Sequence, residues 1–435
     1  MPVLINIPNS SRIDTIWTAK ITGLEPKEKT VISVTMVDTF GNTWKSQAEF
    51  EASDRGEIDL KTQSPKKGSY NSADPMGLIW SMTCKNTHGL LARRSDLSPV
   101  IFKISVLAKD IVQAEKTVTR YLIEPSVIRQ EIRQEDLVGT LYLPDDDGER
   151  KAALIVLSGS EGGFRQEQAA LLASEGYVAL ALAYFNVPSV PHFPTAIKEI
   201  PLEYFGKAIE FLKNHPRVSS QHIGVVGASR GGELALLLGT TFPDLKAVVA
   251  YVPNYAIQAA FGPSDHLTDE KEPSWTYQGK TLPCFPLKVK NVDWFSGSPV
   301  VLKNGFLILT ESQDIDLDAI IKVEKIGGPV LLISGGNDEM WPSEKMADLI
   351  MERLQQKNHP YFMQSKHLHY PKAGHLIMTP WWPTTGGHAI HPIDHIDYVF
   401  GGSPEADAQA GYDSWQQIMF FLEKNLPLYS CSYKN

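Results

Sequence analysis

The 435-residue chain is poor in cysteine, in long apolar runs and in excess positive charge. Its three cysteines, Cys84, Cys284 and Cys431, are too scattered for a disulfide framework, which favours a reducing compartment. The sequence contains no apolar run long enough to span a bilayer. The net charge of -9, with acidic and basic residues interspersed, argues against a nucleic acid or a membrane surface as the partner.

Targeting and metal-binding patterns are also missing. Residues 1–8 have no basic region and no adequate apolar stretch, so we predict no signal peptide. The closest approach to metal-ligand spacing is His388, His391 and His395, but Pro392 interrupts any helix there, and we expect a solvated loop. We therefore expect neither a metal nor a cofactor.

What the chain does contain changes character near residue 135. Before it, segments such as Ile32–Met36 and Phe102–Val106 alternate apolar and polar residues between turns. After it, continuous apolar runs such as Lys151–Leu157 alternate with helical patterns. We predict an all-β, immunoglobulin-like sandwich over 1–135 and an α/β domain over 136–435, with a mainly parallel sheet and helices on both faces.

Local signals refine these boundaries. The segment 137–143 is predicted to be an edge hairpin strand of the second domain. The last helix places Trp415, Ile418 and Leu422 on one face, and Asp413–Gln416 has the pattern of a capping box that would begin it.

Residues 254–322 show neither the two-residue period of a strand nor the period of an amphipathic helix. A long aperiodic segment in a compact domain is commonly a lid or a binding loop. We predict a lid or substrate-pocket insertion there. A surface excursion whose aromatic side chains pack on the sheet is equally consistent. The aromatic residues are Phe261, Trp275, Tyr277, Phe285, Trp294 and Phe295.

The segment 223–238 runs from a β-branched apolar stretch through Gly227-Ala-Ser229-Arg-Gly231 into a helix-forming run. A G-x-S-x-G turn between strand and helix holds its serine in a strained conformation, with the hydroxyl lifted clear of the sheet. A glycine-rich turn that contains a serine by chance is the alternative. The strand and helix around it favour Ser229 as a nucleophile.

A serine nucleophile needs a base and an orienting acid later in the chain. Asp338 lies in the glycine-rich loop after a strand that ends at Ser334, and we choose it as the acid over Glu339, a solvated neighbour. His375, preceded by a glycine, is the predicted base. Three further aspartates before that strand are expected to form a solvated acidic loop; they are Asp314, Asp316 and Asp318.

The oxyanion formed in acyl transfer needs hydrogen-bond donors. One should be the backbone N–H of Arg230, directly after the nucleophile. The other should come from the loop Ser158–Gly163, with the N–H of Glu161 or of Ser160 as candidates. A glycine-rich loop after a buried strand could instead bind a dinucleotide, but no G-x-G-x-x-G is present.

These motifs together resemble the acyl-CoA thioesterase family that also contains bile acid-CoA:amino acid N-acyltransferase. The resemblance spans nearly the whole chain. It rests on Gly56-Glu-Ile-Asp-Leu60, Asp74-Pro-Met-Gly-Leu-Ile-Trp80, Leu180-Ala-Leu-Ala-Tyr184, Ile200-Pro-Leu-Glu-Tyr-Phe205, Val323-Glu-Lys325, Asn337-Asp338 with Trp341, Tyr370-Pro-Lys-Ala-Gly-His375, Trp382-Pro383, Gly401-Gly402 and Asp413-Ser-Trp415.

The resemblance implies an N-terminal β-sandwich, a C-terminal α/β-hydrolase domain and hydrolysis of acyl-CoA to fatty acid and CoA. It implies a nucleophile–Asp–His triad on Ser229, Asp338 and His375, the same residues that local patterns select. The N-acyltransferase branch carries cysteine at the elbow, so a serine favours water as the acyl acceptor. Alternatives are N-acyl transfer, ester or peptide hydrolysis, and non-catalytic acyl-CoA binding.

Contacts to the CoA moiety are expected from basic residues near the predicted loops, namely Arg230, Arg165 and Lys345. The C-terminal residues Cys431–Asn435 carry no peroxisomal tripeptide, and no basic, acid-poor transit segment is present. We therefore expect a cytoplasmic, bacterial member of the family.

Overall fold

The computed structural model describes residues 2–85, 94, 96–134, 136–263, 272–285, 292–294, 297–306, 316–377 and 379–428. The chain divides into two compact units. The first comprises Met1–Glu124, Met378–His388 and Ser403–Tyr412. The second comprises Pro125–Ile377, Ala389–Gly402 and Asp413–Asn435.

The first unit is built mainly from antiparallel strands. Its larger sheet has the order β2-β10-β9-β4-β5-β7, with β8 on β5, and a smaller sheet has the order β1-β3-β6. The elements are β1 (Leu4–Asn6), β2 (Ser10–Arg12), β3 (Lys20–Thr22), β4 (Lys29–Val37), β5 (Thr43–Glu51), β6 (Ile58–Asp59), β7 (Lys67–Gly68), α1 (Gly77–Trp80), β8 (Thr83–Cys84), β9 (Val100–Ala108) and β10 (Ile111–Tyr121).

Alternation along β9 positions the core of this unit. Val100, Phe102, Ile104 and Val106 are buried, whereas the residues between them are exposed or half-buried. The predicted period of two is therefore confirmed for this strand. The immunoglobulin-like character of the unit stays a prediction.

The motif around Asp74 has a structural role in the first unit. The Asp74 carboxylate accepts hydrogen bonds from the Trp80 indole N–H at 2.8 Å and from the Met76 N–H at 2.7 Å. A Cβ at Gly77 would lie 2.2 Å from the ring of Tyr70, so only glycine fits there.

The second unit carries the larger mixed sheet. The elements that follow residue 125 are β11 (Ile128–Gln134), β12 (Leu137–Leu143), β13 (Lys151–Leu157), α2 (Gln166–Ser174), β14 (Val178–Leu182), β15 (Ile200–Pro201), α3 (Glu203–Asn214), β16 (Val218–Ala228), α4 (Arg230–Thr241), β17 (Leu245–Tyr251), β18 (Trp275–Tyr277), β19 (Lys280–Thr281), β20 (Val330–Gly335), α5 (Ser343–Gln356), β21 (Lys366–Tyr370), β22 (His388–Ile390), β23 (Asp397–Val399) and α6 (Pro404–Asn425). All of them belong to the second unit except His388 of β22 and residues 404–412 of α6, which belong to the first. Short 3-10 helices span Val323–Lys325 and Phe362–Gln364.

The main sheet has the order β11-β12-β14-β13-β16-β17-β20-β21. From β14 to β21 neighbouring strands are parallel, while β11–β12 and β12–β14 pair antiparallel. Successive residues of a strand face opposite sides, and every residue of β13, β14 and β20 is buried, so both faces of the sheet are covered. This α/β-hydrolase-like architecture confirms the prediction for the second domain.

Helix α3 buries Phe205, Ala208, Ile209 and Leu212, whose spacing in the sequence is that of one helical face. Two boundary predictions are wrong. The strand β12 is not at the edge, because β11 pairs outside it over its whole length. The last helix begins at Pro404 rather than Asp413, since proline suits a first helical position, where its missing N–H has no partner to lose.

Within 254–322, the short strands β18 and β19 form a sheet with β15. Trp275 is fully buried and its ring contacts those of Tyr184 and Phe205. This one aromatic residue packs inward, and the lid or substrate-pocket insertion over 254–322 stays a prediction. Phe295 and the segments 264–271, 286–291 and 307–315 of the predicted lid lie outside the described residues. No helix in the described ranges is long and apolar enough to cross a membrane.

Candidate active site

Ser229 lies on a sharp turn between β16 and α4. Its backbone has φ 57° and ψ −123°, a conformation that is strained for any residue with a Cβ. Its N–H donates to the Tyr251 carbonyl at 3.0 Å, and its own carbonyl accepts from Gly232 and Glu233 N–H groups at 2.9 and 3.0 Å. The first turn of α4 and the neighbouring strand therefore hold Ser229 in this conformation.

The glycines on either side of Ser229 are required by close backbone contacts. A Cβ at Gly227 would lie 2.0 Å from the Gly231 carbonyl oxygen. A Cβ at Gly231 would lie 2.2 Å from the Ser158 carbonyl oxygen. Any side chain at either position would thus collide with the start of α4 or with the loop after β13.

His375 brings an imidazole to Ser229. Its Nε2 lies 3.0 Å from Ser229 Oγ. Its backbone N–H donates to the Phe400 carbonyl at 2.8 Å, and its ring stands edge-on to Trp341 at 5.0 Å between centroids. A Cβ at Gly374 would lie 2.5 Å from the Gly401 backbone, so glycine before the histidine permits this close approach.

Asp338 completes the hydrogen-bonded chain. It is fully buried, and its Oδ2 lies 2.9 Å from His375 Nδ1. Its Oδ1 accepts from the N–H groups of Met340 and Trp341 at 2.9 and 3.2 Å. Because a carboxylate only accepts, Nδ1 carries the proton, and Nε2 accepts from the Ser229 hydroxyl.

Glu339, the competing acid, is half-buried and its Oε1 lies 3.7 Å from Lys303 Nζ. Among the described residues, no contact joins the Glu339 carboxylate to His375. Asp316 and Asp318 are exposed, as expected of a solvated loop. Asp314 lies outside the described residues.

The loop Ser158–Gly163 lies directly beside the elbow. Leu157 of β13 pairs in register with Gly227 of β16, so the two chains leave the sheet side by side. An ideal Cβ on Gly159 would lie 3.3 Å from Ser229 Cβ. Ser160 and Glu161 therefore follow a residue that has no room for a larger side chain on the side facing Ser229.

Residues after β14 support this loop. The Tyr184 hydroxyl donates to the Ser158 carbonyl at 2.8 Å, and the Asn186 amide donates to the Glu161 carbonyl at 3.0 Å. Burial raises the pKa of Tyr184, so its hydroxyl stays protonated and remains a donor. This support was not predicted, because the sequence separates the partners and tyrosine in an apolar strand pattern suggests only core packing.

The Arg230 side chain is 4% exposed, which contradicts a role for it at the CoA moiety. Its guanidinium lies 3.0 Å from the buried Glu233 carboxylate and donates to Ser274 Oγ at 2.6 Å and to the carbonyls of Gln258 and Ala259. The guanidinium is turned inward and bound by these internal partners, so only the backbone N–H of Arg230 is retained as a site candidate.

The two other basic candidates lie elsewhere. Arg165 is half-buried and its Nε donates to Gln168 Oε1 at 2.9 Å, at the start of α2. Lys345 is exposed on α5. No contact within the described ranges places either side chain against Ser229, and their roles stay predictions.

The expectation of a solvated loop at 388–395 is wrong for His391, which is 6% exposed. His395 is exposed and His388 half-buried. Pro392 excludes a helix at this position, but it does not exclude burial. The His391 imidazole is buried in a loop, where it contacts Ser160. In the described part of the chain, no three potential ligand side chains are grouped closely enough to hold a metal.

Two family profiles match the chain. One described as "Acyl-CoA thioester hydrolase/BAAT N-terminal region" matches residues 14–134, and one described as "BAAT / Acyl-CoA thioester hydrolase C terminal" matches residues 200–427. Among solved structures, an acylaminoacyl peptidase from Pyrococcus horikoshii aligns over 99% of this chain and 63% of its own, with a TM-score of 0.40 and 14% identity. That likeness is too weak to bear on function.

Curated relatives align over nearly the whole chain. Mouse acyl-coenzyme A thioesterase 1 is 30% identical over 98% of this chain and 97% of its own length. Mouse acyl-coenzyme A amino acid N-acyltransferase 2 is 31% identical over 97% of both. Mouse acyl-coenzyme A thioesterase 2, mitochondrial, is 30% identical over 93% of this chain and 85% of its own length. Because relatives include a mitochondrial protein, the cytoplasmic location of this chain stays a prediction. The chain belongs to the acyl-CoA thioester hydrolase/BAAT family.

Proposed function

We propose that the protein is a serine hydrolase that cleaves acyl-CoA thioesters to a fatty acid and CoA. The observation that carries the proposal is the hydrogen-bonded chain from Ser229 Oγ through His375 to Asp338, with links of 3.0 and 2.9 Å, on a strained strand-to-helix turn. Family membership supplies the substrate class, and the chemistry is assigned to the domain over 136–435.

In the acylation step, Ser229 Oγ attacks the thioester carbonyl carbon while His375 Nε2 takes the hydroxyl proton. Asp338 stabilises the resulting imidazolium through Nδ1–H. The carbon–sulfur bond then breaks and the sulfur leaves as CoA thiolate, which takes a proton from His375. A thiolate is a better leaving group than an amine anion, because a thiol ionises near neutral pH. Proton donation by His375 to the leaving group therefore matters less here than in amide cleavage.

The negative charge on the carbonyl oxygen requires preorganised donors. We assign the Arg230 N–H, at the start of α4, as one donor. The second is the N–H of Ser160 or of Glu161, in the loop held by Tyr184. A water then attacks the acyl-enzyme and passes a proton to His375 Nε2. The bond between the acyl carbon and Ser229 Oγ breaks, the fatty acid leaves, and His375 returns the proton to Ser229 Oγ.

Amino acid N-acyltransferase activity is the second candidate, because a relative of that name aligns over 97% of both chains. It would use the same acyl-enzyme with an amine in place of water. The serine at position 229 favours water, since cysteine occupies the elbow in the N-acyltransferase branch. We further propose that the protein acts in the cytoplasm. Its partner is the acyl-CoA substrate, and neither a nucleic acid nor a membrane is part of the proposal.

The test is CoA release from acyl-CoA by wild type and Ser229→Ala. We expect Ser229→Ala to lower kcat by about 10⁴-fold or more, with folding unchanged. Ser219→Ala is the matched control, because this half-buried serine also bonds a histidine, His222, at 2.8 Å. Turnover by Ser229→Ala near the wild-type rate would reject the mechanism. Product analysis with added glycine or taurine separates transfer from hydrolysis.

A further inference from the structure

Ser160, next to the elbow, belongs to a second group of serine, histidine and aspartate. Its Oγ lies 3.1 Å from His391 Nε2. On the other side of the ring, Nδ1 lies 3.5 Å from Asp394 Oδ1. His391 and Asp394 are buried, whereas Ser160 is half-buried and reaches solvent.

The protonation of His391 differs from that of His375. Two groups face His391 Nδ1: the backbone N–H of Ile393 donates to it at 3.3 Å, and Asp394 Oδ1 lies farther away, at 3.5 Å. The closer contact decides the tautomer, because a backbone N–H can only donate. In the neutral ring the proton is therefore on Nε2, which donates to Ser160 Oγ. This ring cannot take a proton from Ser160, so the group does not activate Ser160 as a second nucleophile.

Several contacts hold the His391 ring in this orientation. Asp394 itself accepts from the Ile396 N–H at 3.1 Å and from the Tyr398 hydroxyl at 2.6 Å. Burial and the Asp394 carboxylate both raise the pKa of Tyr398, so its hydroxyl stays a donor. The Phe261 ring stands edge-on to His391 at 5.2 Å between centroids.

The hydroxyl proton of Ser160 is consequently available. The oxygen already accepts from His391, and among the residues that the structure describes the hydroxyl has no other hydrogen-bond partner. A Cβ added to the preceding residue, Gly159, would lie 3.3 Å from Ser229 Cβ. A half-buried donor with its oxygen fixed, in a loop that leaves the sheet alongside the elbow, matches what an oxyanion requires.

We infer that the Ser160 hydroxyl donates a hydrogen bond to the carbonyl oxygen of the substrate in the transition state, and that His391 positions it. The inference rests on the proposed acyl-enzyme chemistry and adds a side-chain donor to the two backbone N–H groups. The hydrogen bond that Ser160 Oγ accepts from His391 Nε2–H polarises the Ser160 hydroxyl and makes it a stronger donor. Ser160 is the catalytic residue of the pair, and His391 acts through it.

A donor of this kind acts mainly on the oxyanion, so its loss should lower kcat and leave KM nearly unchanged. We expect Ser160→Ala to lower kcat by roughly 10- to 100-fold, at or below the loss for one oxyanion donor. Ser160→Thr keeps the hydroxyl and should recover most of the rate. His391→Leu removes the positioning donor, whereas His391→Gln keeps an N–H where Nε2 lies.

The double variant Ser160→Ala/His391→Leu separates positioning from general support of the fold. If His391 acts through Ser160, the double variant is no slower than Ser160→Ala. Multiplicative losses would show that His391 supports the site by another route and would overturn the positioning role. Should His391→Leu fail to fold, Ser160→Ala against Ser160→Thr still decides the role of the hydroxyl.

The rate of labelling by a fluorophosphonate probe gives a second readout, because the phosphonyl oxygen occupies the place of the oxyanion. Labelling of Ser229 should slow in Ser160→Ala about as much as kcat does. Wild type labelled at Ser229 without CoA release would reject the proposed substrate, yet labelling rates would still test Ser160. Unchanged labelling and kcat in Ser160→Ala, or label on Ser160 in Ser229→Ala, would overturn the inference.

Discussion

The hydroxyl oxygen of Ser334 lies 2.7 Å from Nε2 of His367. The other ring nitrogen of His367 lies 3.1 Å from Asp348 Oδ1, so these distances resemble those at Ser229. Ser334 is nevertheless fully buried inside β20, which pairs with β17 on one side and β21 on the other. No substrate carbon can reach its oxygen, and it lacks the exposed, strained turn that Ser229 has.

Ser334→Ala is therefore expected to leave kcat per folded molecule and labelling of Ser229 unchanged. It should lower the free energy of unfolding by about 1–3 kcal/mol, because the His367 ring loses its partner in a buried site. Denaturant unfolding and labelling stoichiometry measure the two effects. Loss of labelling in a folded Ser334→Ala protein would contradict the distinction between the two serines.

The contrast between Ser229 and Ser334 explains what the sequence could predict. Ser229 is recognisable because its glycines are required by backbone contacts within a few residues, and such local constraints are visible in the chain. Asp338 and His375 follow because strand order brings the ends of β20 and β21 towards β16. The alternation of apolar runs with helical patterns predicted the parallel sheet.

Long-range side-chain contacts were beyond that reasoning. Burial of the Arg230 guanidinium depends on Glu233, one turn away, and also on carbonyls from residues 258 and 259. His391 was assigned to solvent because no local pattern shows that Phe261 and Tyr398 cover it. The start of α6 at Pro404 was missed because the capping pattern at Asp413 lies within a helix that continues through it.

Asp338→Asn should lower kcat by about 10⁴-fold while KM changes little. An amide N–H facing His375 Nδ1 would favour the tautomer with the proton on Nε2, which cannot accept from Ser229. The backbone donors Met340 and Trp341 would still bond the remaining oxygen, so the fold should persist. Steady-state kinetics measure the effect. Glu339→Gln, the neighbouring change of the same kind, should stay within about threefold of wild type, and an equal loss there would refute the assignment of Asp338.

The buried Glu233 makes stability depend on pH. Burial raises its pKa from 4.5 to about 7, although Arg230 and the Trp275 indole N–H oppose the shift. A folded pKa above the unfolded one means that the folded state binds the proton more tightly. Its contribution to stability is complete below about pH 4.5 and is lost as the pH rises through about 7.

Over that window the contribution amounts to at most about 3 kcal/mol. Glu233→Gln has no titrating group, so the difference between its unfolding free energy and that of wild type should change with pH between 5 and 8. Urea unfolding at several pH values measures this difference. Gln keeps a polar side chain beside Arg230, and a difference that is constant with pH would show that Glu233 is ionised throughout.

Glu161 carries a carboxylate in the loop beside the elbow, where the proposed acyl-CoA substrate, an anion, would approach. A Cβ added to Gly159 would lie 2.6 Å from Glu161 Oε2 and 3.3 Å from Ser229 Cβ, so the carboxylate and the nucleophile's turn lie on the same side of Gly159. The Glu161 side chain is exposed. We expect Glu161→Gln to raise kcat/KM for acyl-CoA by about 2- to 5-fold at low salt, as removal of one exposed like charge should.

Glu149→Gln is the matched control, because it makes the same change of net charge at an exposed position in the β12–β13 loop. The gain in Glu161→Gln should shrink as ionic strength approaches 1 M, where the screening length is about 3 Å, and Glu149→Gln should show little gain at any salt concentration. Kinetics at three ionic strengths measure both. Equal gains in the two variants would assign the effect to net charge, and a decrease in Glu161→Gln alone would show that the carboxylate assists binding or catalysis.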